Sequence, residues 1–233
     1  MQNFDAKTKD YFNTAKPKYS SKRLDFFHDF YKENALSINK VLDVGSGDGE
    51  SVRVLQEKLQ DIEFHISDIA HEYMDGSGNI VKIVGSVLDK NFLPEVNDYQ
   101  AVQCVSLLHH LVDEKRRSKS VDNVRTAIQN MMRIVGKDGY VLIFEPVWSP
   151  EIIGTSAFYI KNFFSRFASS RIEFKPNSIW NIGLPVVSYL SQNMLEDIFS
   201  QVGLKIVRRA IFHETTTAKF MNCKRMQYVL KQA

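Results

Sequence analysis

Cysteine, long apolar runs and charge of one sign are all scarce in this chain. Only two cysteines, Cys104 and Cys223, occur in 233 residues. They stand in unrelated contexts with no CxxC pair, which excludes a disulfide framework and a zinc knuckle. No apolar run approaches the ~20 residues that cross a bilayer. The opening Met1-Gln2-Asn3-Phe4-Asp5 is polar and mixed in charge, unlike a signal peptide. A cytoplasmic location without stable membrane insertion is therefore expected. The 30 basic and 27 acidic residues leave a net charge of +3. That bias is too weak for a nucleic-acid partner, which calls for a stripe of Lys and Arg among aromatics. The densest charge run, Asp113 to Lys119, carries both signs and reads as a solvated loop. Internal repeats and low-complexity segments are absent.

What is present is an average globular composition, 44% hydrophobic and 24% charged, enough to enclose a ligand in one α/β domain. Short apolar runs alternate with helical periodicity, the pattern of a mainly parallel sheet covered by helices. A helix is expected over 20–36, with Leu24, Phe27, Tyr31 and Ala35 on one side. Strands follow at 40–44, 62–67, 80–84, 99–106 and 140–144. The helix over 121–135 carries Val124, Ile128, Met131 and Val135 on one face and stops at Gly136. Ser191 can cap a late helix that ends at Gly203, and two late strands follow at 204–211 and 225–230. Between Pro146 and Leu190 this rhythm breaks, and aromatic residues crowd the segment.

Val41-Leu42-Asp43-Val44-Gly45-Ser46-Gly47-Asp48-Gly49 is the strongest local signal. Glycines after a buried strand permit a tight turn and close approach of the backbone to a ligand. The dinucleotide fingerprint GxGxxG is not met, because the third glycine comes one residue early. Asp43 lies inside the strand, and Asp48 adds negative charge where a pyrophosphate would sit. These features suit a ligand that lacks phosphate and carries a positive group, as S-adenosylmethionine (SAM) does. Asp68 follows the second strand, twenty-five residues after Asp43. At the end of a neighbouring strand it can accept both hydrogen bonds of a ribose diol, or else cap the short helix after it.

VLDVGSGDGE, the strand-end acid in ISDIA, SLLHHLVD and VGKDGYVLIFEP, in this order over about residues 40–146, resemble the class I SAM-dependent methyltransferases. The similarity is to their small-molecule (type 11/12-like) branch. The resemblance implies a doubly wound, Rossmann-like fold: a seven-stranded, mostly parallel sheet with one antiparallel late strand, helices on both faces and an aromatic-rich insertion after strand five. It divides the chain into an N-terminal helical cap (1–38), a SAM-binding core (39–146), a lid or substrate insertion (147–190) and a C-terminal helix with strands (191–233). It implies SAM as cofactor. Gly45 and Gly47 would approach the methionyl part, with Ser46 between them, while Asp43 orders the loop and the amino group. Asp68 would hold the ribose and Ile69 pack on the adenine. Ser86, beside Val87, stands where many relatives carry Asp, so the adenine amine would be met by Ser86 or by backbone. The stretch AKPKYS is similar to a (R)PxYP stretch ahead of the fold in trans-aconitate-type methyltransferases, which places Tyr19 at the cofactor.

Methyl transfer needs alignment and exclusion of water, and a base only where the acceptor loses a proton. The candidates at the carboxyl ends of strands four and five are His109, His110 and Glu145. Either histidine can take a proton, hydrogen-bond the acceptor or satisfy backbone; Glu145 can orient an imidazole, bind an amine or serve no chemistry. No metal is expected, since no helical HxxxH or second acid accompanies them. His65 and Cys104 read as structural. The segment 147–190 reads as a lid, an oligomer interface or a membrane-surface helix. As a lid it would bring Trp148, Phe158, Phe163, Phe167 and Arg166 to a small, partly apolar acceptor. A monomer or homodimer is expected. The rivals are a noncatalytic SAM-fold subunit that binds a partner through the aromatic segment, a nicotinamide oxidoreductase, and an RNA or protein methyltransferase. The glycine spacing argues against the second. Missing NPPY-like and basic RNA-binding features argue against the third.

Overall fold

The computed structural model describes residues 21–69, 71–91, 99–165, 172–173, 181–182, 186–212 and 223–233. Helix α1 (Ser21–Glu33) precedes β1 (Lys40–Val44), the glycine turn and α2 (Glu50–Gln56). Then come β2 (Glu63–Asp68), β3 (Val81–Val84), β4 (Ala101–Val105), α3 (Arg117–Val135) and β5 (Tyr140–Trp148). Helix α4 (Glu151–Ser165) follows, with the two-residue strands β6 (Ile172–Glu173) and β7 (Asn181–Ile182) after it. Helix α5 (Gln192–Gln201), β8 (Leu204–Phe212) and β9 (Cys223–Gln232) complete the chain. Seven strands form one sheet in the order β3-β2-β1-β4-β5-β9-β8, with β9 antiparallel to both of its neighbours and the other pairs parallel. The expected doubly wound sheet with one antiparallel late strand is present.

Alternation along the strands sends successive side chains to opposite faces. Val41, Ala101, Val105, Leu142 and Phe144 meet Leu24, Phe27, Phe30 and Tyr31 of α1 and Val52 and Leu55 of α2. Leu42, Val44, Val102, Cys104, Val141 and Ile143 meet Val124, Ile128 and Met131 of α3 and Leu195, Ile198 and Phe199 of α5. Burial on both faces explains why these strands read as continuous apolar runs. The Ser191 hydroxyl accepts the Met194 N–H at 3.2 Å, the expected cap of α5. Edge strand β8 keeps most side chains exposed, and Lys205, Arg208 and Arg209 along it discourage pairing with another chain.

Two expectations change. Helix α3 begins at Arg117, about a turn before the apolar periodicity sets in. The segment after Phe144 is also more regular than its sequence suggests. Strand β5 runs on through Pro146 to Trp148 because β4 ends opposite Phe144, and beyond that point β9 is its one strand partner among the described residues. The Phe144 carbonyl accepts the Ser106 N–H, so it faces the β4 side, and Pro146, two residues on, aligns its missing N–H with that open edge. Two residues further, the Trp148 N–H donates to the Leu190 carbonyl at 2.9 Å, which brings Val186–Leu190 alongside. The periodicity of α4 is hidden because its outer face is apolar too: Ile152, Tyr159, Ile160, Phe163 and Phe164 are exposed. Among the described residues no helix is long and apolar enough to cross a membrane, and no group of three or more His, Cys, Asp or Glu could hold a metal.

Candidate active site

The order of the sheet reverses between β1 and β4, and the crevice outside the carboxyl ends of such strands is where a doubly wound sheet binds ligands. The chain turns there at Gly45, Ser46 and Gly47. Gly45 has φ +65°, and a Cβ on it would overlap the Leu107 side chain, so both backbone and space demand glycine. Gly47 has φ +55° but faces open space, with no atom of the described residues within 4 Å of where a Cβ would lie.

The Ser46 N–H donates to the Ser67 carbonyl at 3.1 Å, and the Ser46 hydroxyl donates to the same oxygen at 3.3 Å. The Gly47 N–H donates to one oxygen of Asp68 at 3.0 Å, and the Ile69 N–H to the other at 2.7 Å. Asp68 therefore ties the end of β2 to the glycine turn and retains lone pairs for a ligand. Burial raises its pKa, and the two backbone donors pull it back. Ile69 is exposed beside it. The Asp68 carbonyl accepts the Gly85 N–H at 2.8 Å, which brings the loop after β3 to the same place. There the Ser86 hydroxyl accepts the Leu88 N–H at 3.2 Å. Val87 is buried, and its carbonyl accepts from the Asn130 amide at 2.7 Å. Asp48 is an ion-pair partner of Arg53 at 3.6 Å, so its negative charge is partly offset.

Asp43 is wholly enclosed. One oxygen accepts the Ser51 hydroxyl at 2.6 Å, which ties β1 to the first turn of α2. Burial pushes its pKa up to about 7, the Ser51 hydroxyl and Gln103 amide pull it down, and Asp68 adds a further rise.

A second cluster lies at the ends of β4 and β5. Leu108–His110 form a 3-10 turn. The Glu145 carboxylate accepts the Leu108 N–H at 3.1 Å and the His109 N–H at 3.0 Å, and it also meets His109 Nδ1. Burial raises Glu145 to about 8 and lowers His109 to about 3, so near neutrality the pair holds one proton between its two sites. His109 stacks on Tyr189 (centroids 5.2 Å, 17° between planes), and Tyr189 stacks on Trp148 (4.7 Å, 8°). His110 is half-buried at the open end of this column, its ring centroid 4.1 Å from that of His109. Burial, then His109, hold its pKa well below the ordinary value.

The structure thus gathers Asp43, Gly45, Ser46, Gly47, Asp68, Ile69 and Ser86 around one crevice, and His109, His110 and Glu145 on the neighbouring strand ends. Of the residues expected at the acceptor, Trp148 lies inside the ring column, and Phe158 is fully enclosed between Val112 and Val186. Phe163 is exposed on the outer face of α4. Tyr19, Arg166 and Phe167 lie outside the described residues. His65 is structural as expected, meeting the Tyr99 hydroxyl at 2.8 Å and Glu63 at 2.7 Å. Sequence reasoning missed Ser106, which holds φ +56° at the tip of β4 beside the crevice. A serine gives no sign of such a backbone. It also missed Tyr31 and Gln103; a polar residue inside the apolar run Ala101-Val102-Gln103-Cys104-Val105 was the available signal.

No protein-family model and no curated protein matches this sequence. Solved structures do. A SAM-dependent methyltransferase from Clostridium acetobutylicum ATCC 824 superposes with a TM-score of 0.62 at 11% identity, with 97% of each chain covered. SAM-bound CalS10, an amino pentose methyltransferase from Micromonospora echinaspora, gives 0.60 at 13% identity, over 99% of this chain and 98% of that one. The mitomycin 7-O-methyltransferase MmcR gives 0.64 at 12% identity; 99% of this chain matches 59% of that protein. With its seven-stranded order and antiparallel β9, and with this likeness, the chain has the fold of the class I SAM-dependent methyltransferases.

Proposed function

We propose that this chain is a SAM-dependent methyltransferase that acts on a small, partly apolar metabolite. The observation that carries this reading is the glycine turn at the β1–β4 crevice. It is held open at Gly47 and tied by the Gly47 N–H to a carboxylate that keeps acceptor capacity. The residues present fit SAM: open space lies beside Gly47, and buried Asp43, once ionised, puts negative potential under the turn, where an ammonium group is favoured and a phosphate is not. When bound, SAM supplies an electrophilic methyl group on a sulfonium. Asp68 binds the ribose diol, exposed Ile69 covers the adenine, and the second lone pair of the Ser86 hydroxyl accepts from the adenine amine.

The Glu145–His109 pair is a positioning device, because Glu145 is enclosed and committed to the Nδ1 of the buried His109 ring and to two backbone N–H groups. Where the acceptor loses a proton, His110 is the group placed to receive it. Its lowered pKa keeps the imidazole neutral at pH 7. Segment 147–190 acts as a lid, with α4 braced on Tyr189 and Trp148 through Gly154. The likeness to MmcR and CalS10, named for a mitomycin and an amino pentose, supports a small-molecule acceptor.

Calorimetric titration with S-adenosylhomocysteine, with NADH as control, tests the assignment. Wild type is expected to bind the first and not the second. Asp68→Asn is the informative variant, since it keeps an acceptor for the Gly47 N–H while removing the charge. An expected loss of ten- to hundredfold in affinity follows from one charge-assisted hydrogen bond of ~1.5–3 kcal/mol. Absence of binding by wild type at millimolar concentration would sink the reading and favour a partner-binding role for the exposed face of α4.

A further inference from the structure

We propose that Tyr31 and Gln103 are positioning residues for the cofactor turn, setting the orientation and charge of Asp43 from the N-terminal helix. This rests on the SAM reading of the site. Gln103 on β4 is in register with Asp43 on β1, so in a parallel pair both side chains emerge on the same face, the one that α1 covers. The Tyr31 hydroxyl donates to Gln103 Oε1 at 2.8 Å. Its oxygen engaged, the amide turns its nitrogen toward Asp43. Asp43 Oδ1 and Gln103 Nε2, one an acceptor and one a donor, are both buried without a hydrogen-bond partner among the described residues, and the Gln103 amide lies close enough to pull the Asp43 pKa down. The remaining Asp43 oxygen is held by Ser51 of α2. All four side chains are enclosed, in a layer otherwise filled by Val41, Ala101, Leu142 and Phe144. A polar chain of this kind in an apolar layer is costly unless each member is satisfied, and satisfied it fixes one arrangement.

Asp43 is too deep to touch a ligand, so it acts on the ammonium group of SAM electrostatically, through the protein beneath the turn. That action requires the carboxylate. The titratable groups that interact electrostatically with Asp43 are the Tyr31 phenol on α1, the Asp68 carboxyl at the end of β2 and, across the sheet, the Cys104 thiol on β4. Burial pushes the phenol and the thiol well up, so both stay neutral near pH 7. Asp68 opposes ionisation of Asp43. The Gln103 amide and the Ser51 hydroxyl favour it, and Tyr31 decides whether the amide presents its nitrogen.

The test measures S-adenosylhomocysteine affinity and thermal stability from pH 5.5 to 9 for wild type, Gln103→Leu, the milder Tyr31→Phe, and each in an Asp43→Asn background. In wild type, affinity is expected to rise as pH passes through about 7, where Asp43 ionises. Gln103→Leu displaces that rise upward by about one pH unit, so binding at pH 7 falls up to tenfold and recovers by pH 9. Tyr31→Phe moves it the same way by less. Asp43→Asn flattens the profile and abolishes both displacements. Uniformly weaker binding at every pH, or a displacement that survives in Asp43→Asn, would show a structural role and overturn the proposal.

Stability gives a readout independent of ligand. The folded pKa of Asp43 is raised, so its ionisation costs stability as pH rises from about 4 to about 7. Gln103→Leu extends that loss above pH 7, and Asp43→Asn removes the extension. Should wild type bind no adenosyl ligand, the methyltransferase reading fails. The coupling is then judged on the stability profiles, and identical profiles for Gln103→Leu and wild type overturn it.

Discussion

Single residues at the crevice divide into those that hold shape and those that leave room. Gly45 and Gly47 share a positive φ, but among the described residues Gly45 alone of the two has a neighbour, Leu107, in the way of a Cβ. Gly47→Ala is expected to cost about 1–2 kcal/mol in urea unfolding, the strain of the backbone alone, and to weaken S-adenosylhomocysteine binding by filling open space. Gly45→Ala is expected to cost more, because Leu107 must also move. Equal losses would mean that the turn relaxes freely. Glu145 and His109 make a second prediction. Unfolded, they titrate near 4.5 and 6.5; folded, they hold one proton from about 3 to about 8. Between pH 4.5 and 6.5 the folded and unfolded pairs bind equal protons, so their contribution is flat. From 6.5 to 8 the folded pair binds more, and stability falls by about 2 kcal/mol. Below 4.5 the unfolded chain binds more, and stability falls again. Denaturation of wild type minus the double variant Glu145→Gln/His109→Asn, which removes both titrating groups, should show this plateau with two shoulders, and a featureless difference would contradict it.

At the level of elements, α4 shows how a helix can dock by its smallest residue. A Cβ on Gly154 would lie 2.9 Å from the Tyr189 carbonyl, so the helix approaches segment 186–190 as closely as backbone permits. Buried Arg117 of α3 braces the same junction, reaching Glu151 and the Tyr189 carbonyl, each at 3.3 Å. Gly154→Ala is expected to push α4 outward and cost ~1–3 kcal/mol, less the ~0.8–1.0 kcal/mol that alanine returns in helix propensity. If α4 is a lid, hydrogen exchange in 151–165 should quicken while the sheet stays protected. Unchanged exchange would place the helix outside any such motion.

For the whole molecule, the doubly wound arrangement puts the turn after β1, the end of β2, the loop after β3 and the tips of β4 and β5 at one rim of the sheet. A ligand that spans them binds only the folded chain. S-adenosylhomocysteine at a hundred times its Kd should therefore add about 2.7 kcal/mol to unfolding, visible as a concentration-dependent rise in Tm. A Tm that ignores the ligand would argue that the rim is not a cofactor site.

The sequence by itself determined the sheet and the glycine turn. Strands buried on both faces must read as apolar runs, amphipathic α3 and α5 must show their period, and positive φ beside a strand end calls for glycine. Asp43 and Asp68 were visible too, since carboxylates at strand ends stand out from such runs. Only the tertiary structure decided what those groups touch. Asp68 binds the turn after β1 because a parallel crossover sets the two strand ends side by side. Glu145 is committed to His109 because β4 and β5 are neighbours, though thirty-six residues separate the pair in sequence. Phe158 and Trp148 looked like substrate contacts by composition, yet they are enclosed, since aromatic content does not say which face a ring is turned to. The link from Tyr31 through Gln103 to Asp43 spans three elements, and no local pattern encodes a hydrogen bond across seventy-two residues. Local periodicity is fixed by chain geometry, whereas partner choice is fixed by the packing of elements distant in sequence.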